Sequence, residues 1–407
     1  MDGLKNKRNF GSFHSSNVQE LITLPDDVCT FLNHGAFGAV LKEAIEVSQK
    51  WQLHVEKQPL RFMDRELIPH LVYVTRRMAS FVNCKPEDLV LIQNVTTGAN
   101  CVVKSLKLQP GDKIFCLSVT YGAVKKLLKY VCTEAEATLQ EAKVTFPLKS
   151  GQEVIDLVEK GLLEGTRLAV FDHIPSNTPF IMPVKQLIQL CHEKGVPVMI
   201  DGAHALGGLD LDISDLDPDY YLTNCHKWFC APKGCALMYV NRKLQASTRT
   251  LIISHGFGSG YSSEYIWTGL KDYSGLLALH TVLDFWEALG PNTMREYMHS
   301  LLKKSCSLLM QKWKTRLIAA PEMFGSMGLV QLPPDMYKDC DVVDYSKAEL
   351  VQNILYHKYN IEVPIKAVDG HLYCRLSAHI YNYLEEYNKL GDAVLEITNQ
   401  GLLHQQL

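Results

Sequence analysis

Asp201 and Lys227 are the two residues in this 407-residue chain whose types and settings could do chemistry together. Asp201 follows the short apolar run VPVMI at 196–200, which has Gly195 before it and reads as a buried parallel strand. Lys227 follows a second run, YYLT at 220–223, and lies among His226, Trp228, Phe229 and Cys230. Open α/β sheets bind ligands at the carboxyl ends of their strands, so the two side chains are expected to share one cleft. Each alone has a plainer reading. An Asp after a strand is usually a turn residue or helix cap, and a Lys is usually solvated. Their combination points elsewhere. An amine with apolar neighbours has a lowered pKa and becomes a nucleophile. Such an amine forms a Schiff base with pyridoxal phosphate, whose protonated ring nitrogen requires a carboxylate beside it.

The elements that must position this pair alternate along the chain. Strand-like runs occupy 89–92, 114–118, 168–171 and 235–240, and a helical pattern at 184–193 leads into the Asp201 strand. This alternation predicts an α/β fold with a mainly parallel sheet flanked by helices. The segment NVTTGAN at 94–100 opens a helix after the first strand. A Thr cap followed by Gly there makes a cradle for a phosphate, because free N–H groups and the helix dipole favour an anion. Thr97 and the amides of Gly98 and Ala99 are the candidates. A strongly periodic helix at 276–289 precedes a smaller α+β region.

The motifs DGAHA at 201–205 and NCHKWFCAPKG at 224–234 resemble the class V aminotransferase superfamily of fold-type I pyridoxal-phosphate enzymes. Within it the sequence is most similar to the isopenicillin N epimerase-like branch, which includes hercynylcysteine sulfoxide lyases. Cysteine desulfurases are more distant cousins. The resemblance runs from about residue 32 to about residue 382. It implies an N-terminal arm at 1–30, a large cofactor-binding domain at 31–289 with a seven-stranded sheet, and a small C-terminal domain at 290–407. It also implies a homodimer whose active sites are completed across the interface.

Residue by residue, the resemblance places Tyr121 of TYGA over the pyridine ring. It places His173, Ser176 and Asn177 of DHIPSNT, with His204, beside the ring or the substrate. Asn224 and His226 fall on phosphate contacts. Thr268 of IWTG falls on a loop that reaches the partner's phosphate, although Leu270 stands where many relatives have a second Thr. Arg375 of YCRLS matches the arginine that holds the substrate α-carboxylate, as a planar fork suits that group. His34 of LNHGAFG falls near the substrate. Arg61 and Arg65 either meet a carboxylate or pair with Asp64 and Glu66 in solvent.

Other signals lead nowhere. Cys225, Cys230 and Cys235 lack zinc or iron–sulfur spacing, and the aspartates at 210–219 lack the Gly and Glu of a calcium loop, so no metal is expected. A formal net charge of -3 gives no field for nucleic acid, and no run is long enough to span a membrane. The polar N-terminus and 12 scattered cysteines suit a reducing, cytoplasmic setting. The reaction expected is β-elimination across a C–S bond of a cysteine derivative or cysteine sulfoxide. Epimerisation and transamination share the same motifs, and a non-catalytic binding protein would have no need of them. Cys374 precedes Arg375 directly, so strand alternation should turn it away from the substrate and exclude a persulfide route.

Overall fold

The computed structural model describes residues 20–23, 29–338 and 340–400, so most of the expected arm at 1–30 lies outside the described residues. The short apolar runs form one seven-stranded sheet. Its strands are β1 (Leu89–Ile92), β2 (Lys113–Leu117), β3 (Thr138–Ala142), β4 (Thr166–Asp172), β5 (Val198–Asp201), β6 (Tyr220–Asn224) and β7 (Ala236–Val240). They lie in the order β1-β7-β6-β5-β4-β2-β3. Strands β2 to β6 pair in parallel, and β7 runs antiparallel to both β1 and β6. The link from Asn224 to Ala236 is too short to carry a parallel crossover, which forces that reversal.

Alternating side chains give the sheet two apolar faces. One face, with Ile114, Cys116, Val170 and Met199, packs under α3 (Val95–Ser105) and α4 (Gly122–Glu134). The other, with Phe115, Phe171, Val198 and Ile200, packs against α1 (Lys42–Lys57), α2 (Leu67–Phe81), α5 (Gln152–Gly161) and α6 (Val184–Glu193). Covering both faces is what makes these strands nearly continuous apolar runs.

The helix expected at 276–289 is split into a short turn at Ser274–Leu277 and α7 (Leu279–Leu289). Gly290, at φ 81°, ends α7, and Pro291 opens α8 (Pro291–Trp313). Beyond it stands a second, three-stranded antiparallel sheet of β8 (Met327–Gln331), β9 (Ile365–Val368) and β10 (His371–Ser377), in the order β8-β10-β9. It packs with α8, α9 (Tyr345–Tyr359) and α10 (Leu384–Gln400) around its own core. The chain near its start also joins this unit: Thr30–Phe31 pairs in parallel with Ile361–Glu362, and Leu32 lies in the same core.

Candidate active site

Strand alternation and register bring Asp201 and Lys227 together. Asp201 ends β5, and Lys227 lies three residues beyond the end of the neighbouring β6. Both are buried. Burial, set against the attraction of Asp201, lowers Lys227 from an ordinary lysine's 10.5 to about 8. Its Nζ lies 3.0 Å from His204 Nε2, and the Trp228 indole N–H donates to His204 Nδ1 at 3.3 Å. An indole can only donate, so Nδ1 accepts and the proton of the neutral ring sits on Nε2. Burial holds the imidazole well below its usual range, so it is neutral. His204 Nε2–H can therefore donate to Lys227 only when the amine is neutral, so this contact favours the neutral form.

Asp201 Oδ1 accepts the Ala203 N–H at 3.0 Å, while its Oδ2 is buried with no partner. An unpaired buried carboxylate oxygen is costly unless a donor arrives. A pyridinium N–H is such a donor, so the residues present fit pyridoxal phosphate. Beside Asp201, in register on β4, lies Asp172. Its Oδ1 accepts the Tyr121 N–H at 3.2 Å, and its Oδ2 is also buried and unpaired. Burial and then the charge of Asp201 push Asp172 well above the carboxylate range, so it is the member of the pair that keeps a proton. Asp172 was missing from the candidates. Its signal was available: the run LAVFD ends on an acid just as VMID does.

Tyr121 caps α4 with a side chain 42% exposed at the cleft. His173 is buried next to this group, its N–H donating to the Asp201 carbonyl and its Nδ1 bonded to the Tyr221 hydroxyl at 2.8 Å. Asn224 accepts the Val95 N–H at 3.1 Å and so ties the end of β6 to the start of α3. His226 is half-buried, with Nδ1 unpaired.

The helix start differs from the sequence reading. Asn94, not a threonine, is the cap: its Oδ1 accepts the Thr97 N–H at 2.8 Å and the Thr97 hydroxyl at 3.1 Å. The Gly98 N–H is spent on the Asn94 carbonyl at 3.2 Å, and Ala99 lies in the helix body. From the fourth helical residue onward, amides are internally bonded, so Gly98 and Ala99 have none to offer a phosphate. Gly98 instead lets α3 approach the sheet: a Cβ there would meet Ile92 Cδ1 at 2.7 Å and Leu222 Cδ2 at 3.0 Å. The residues of this turn with exposed surface are Thr96 and, in part, Thr97.

Arg375 reaches in from β10. One amino nitrogen, Nη1, donates to the Ser176 carbonyl at 2.8 Å and its hydroxyl at 3.3 Å, the other to Asn33 Oδ1 at 2.9 Å, and Nε is buried without a partner. None of these acceptors is a carboxylate. Burial lowers Arg375 to about 10. A buried guanidinium held by neutral oxygens is a waiting anion site. Asn177, next to Ser176, is exposed.

His34 departs from expectation, whereas Arg61, Arg65 and Thr268 keep to one of theirs. His34 is fully buried beneath the lysine loop: Nε2–H donates to the Lys227 carbonyl at 3.0 Å, Nδ1 bonds the Tyr381 hydroxyl at 2.8 Å, and the ring stacks on His379. With both nitrogens spent, it holds Lys227's backbone and has none left for a substrate. Arg61 pairs with Glu66 at 2.8 Å on the surface, and Arg65 is exposed, which is the solvated reading of both. Thr268 accepts from Lys271 at 3.2 Å, and none of its hydrogen bonds reaches the Lys227 cluster within one chain.

Comparison with known proteins agrees with this geometry. A family model described as aminotransferase class-V matches residues 36–390. A probable chloroplastic L-cysteine desulfhydrase of Arabidopsis thaliana is 29% identical, over 95% of this chain and 86% of that protein. An isopenicillin N epimerase of Amycolatopsis lactamdurans is 27% identical, over 94% and 98%. An apo cysteine desulfurase from Thermococcus onnurineus NA1 shares the fold with a TM-score of 0.78 at 18% identity, covering 95% of this chain and 98% of that one.

Proposed function

The chain belongs to the aminotransferase class-V family, a family of pyridoxal-phosphate enzymes, and on that premise we propose that it is a C–S β-lyase acting on a cysteine derivative. The observation that carries the reading is the Lys227 amine, lowered to about 8, facing buried Asp201, with an uncompensated Arg375 across the cleft. The L-cysteine desulfhydrase relative supports elimination as the outcome.

Bound between Asp201 and Lys227, pyridoxal phosphate supplies an electron sink for the charge that develops at the substrate Cα. The protein does the rest. Asp201 would hold the ring-nitrogen proton, and Tyr121 would cover the ring. Thr96, exposed at the start of α3, would meet the phosphate together with His226 and, from the partner subunit, Thr268. Arg375 takes the α-carboxylate as a bidentate pair, which turns the Cα–H bond toward Lys227. Lys227, as a free amine, accepts that proton. The sulfur group then leaves directly from Cβ, without attack by a protein thiol. Cys374 is buried in the core of the small sheet, on the face opposite Arg375, and burial raises its thiol far above the range that ionises.

We further propose a homodimer. Leu251, Ile252, Ile253, Phe257 and Leu270 form exposed apolar surface on the segment that also carries Thr268, and a second copy would cover it. The 12 free cysteines, nine of them buried, suit a cytoplasmic setting.

The test is a panel of L-cysteine, S-carboxymethyl-L-cysteine, cysteine sulfoxides and selenocysteine, assayed for pyruvate, alanine and racemisation. Pyruvate with ammonia is expected. Alanine with a protein persulfide would sink the mechanism, and rapid Cα inversion without pyruvate would transfer the case to the epimerase reading that the isopenicillin N epimerase relative keeps in view.

A further inference from the structure

Strands β9 and β10 carry a second cation to the mouth of the same cleft. Their antiparallel register sets Ile365 opposite Cys374 and Lys366 opposite Tyr373. Side chains alternate along a strand. Ile365, Leu372, Cys374 and Leu376 fill the small unit's core. Lys366, Tyr373 and Arg375 therefore share the other face. Tyr373 belongs to the apolar cluster of the large unit, so this face looks toward the large sheet. Arg375 on the same face reaches Ser176 and Asn33. The Arg375 N–H bonds the Pro364 carbonyl, which makes Lys366 the diagonal neighbour of Arg375, a separation of about 7–8 Å between such positions.

Neither cation has an acid. The acceptors around Arg375 are a carbonyl, a hydroxyl and an amide oxygen. Glu362, two residues before Pro364, is spent on the Asn33 amide at 2.8 Å. Among the described residues the Lys366 ammonium has no hydrogen bond and no ion pair, although the residue is half-buried. Burial and then the charge of Arg375 lower it to about 8. Two neighbouring cations withdrawn from water with no counter-ion are unfavourable unless anions fill the space between them. The substrate α-carboxylate satisfies one.

We propose that Lys366 and Arg375 form a two-anion clamp and that the substrate carries a second acidic group at the far end of its side chain. This rests on Arg375 as the α-carboxylate site. The substrate class is thus narrowed to cysteine derivatives whose sulfur substituent bears a carboxylate or sulfonate. Lys366 is a specificity residue: it selects the leaving group and takes no proton in the reaction.

Non-reacting acids with and without a second carboxylate read the clamp on the holoenzyme. Titration calorimetry with glutarate and with butyrate gives the ratio of their dissociation constants. Wild-type protein should favour glutarate by about tenfold or more, as expected for one charge-assisted contact. Lys366→Gln should bring the ratio close to one, and Lys366→Arg should restore it. S-carboxymethyl-L-cysteine against S-ethyl-L-cysteine should show the same Lys366-dependent ratio in kcat/KM. Equal affinities in the wild type, or a ratio that ignores Lys366→Gln, overturns the clamp. Butyrate binding that is indifferent to Arg375→Lys overturns the carboxylate reading beneath it, and the clamp with it.

Discussion

Lys227 should make the uptake of pyridoxal phosphate by the apoprotein break at an unusual pH. Its amine is lowered from 10.5 to about 8, chiefly by burial. At pH 7 roughly one Lys227 in ten is then neutral, against about one in 3,000 for an ordinary lysine, a gain of about 300-fold in reactive amine worth about 3 kcal/mol. The observable is the growth of cofactor absorbance after apoprotein is mixed with pyridoxal phosphate, taken from pH 6 to 10. Dividing each rate by that of a simple lysine derivative removes the cofactor's own titration. The normalised rate should stay flat below pH 8 and fall above it, because the reference amine keeps gaining neutral fraction while Lys227 does not. Asp201 supplies the largest contribution opposing the shift. Asp201→Asn removes that attraction on the ammonium, so the break should move to lower pH. A normalised rate with no break before pH 10, or a break that moves upward in Asp201→Asn, would refute the electrostatic account of the site.

Borohydride reduction of the loaded protein, followed by peptide mapping, should leave the pyridoxyl group on Lys227; a label on another lysine removes the assignment. Asp201→Asn should keep the fold and lose kcat at saturating cofactor by tenfold or more, since a buried charged partner is worth more than 1.4 kcal/mol. Arg375→Lys should raise KM for an amino acid about tenfold while cofactor absorbance is unchanged, because an ammonium cannot copy the planar fork. Ile253→Asp with Leu270→Asp should shift sedimentation from dimer to monomer and weaken phosphate-dependent cofactor retention. A double variant that sediments like the wild type would place the interface elsewhere.

Much of this was legible because the signals are local. The runs VPVMI and YYLT are apolar, β-branched or aromatic and bounded by turn residues, so they read as strands, and β5 and β6 lie there. The order Asp201 then Lys227 on neighbouring strand ends follows from the parallel crossover. The edge strand β3, TLQEA, was not legible: three of its five residues are polar because only part of it is covered. His34 was misplaced for a different reason. Its ring is pinned by Lys227 and Tyr381, far away in sequence, and no local pattern distinguishes a histidine facing a cleft from one that props a backbone. Asn94 was passed over as cap because Ser, Thr, Asp and Asn are near equals in that position, and only geometry shows which oxygen faces the amide. The antiparallel direction of β7 was encoded only in the shortness of its connection.

The pairing of Thr30–Phe31 with Ile361–Glu362 bears on how the molecule comes apart. From Thr30 the chain runs along the small unit, threads His34 beneath Lys227, builds the large sheet, and returns to close against the strand it left. A fragment beginning at residue 290 would lack both that strand and Leu32 of its core. The two units are therefore interlocked pieces of one cooperative object. Loss of the small sheet exposes the underside of the lysine loop, so melting of either part removes support from the other.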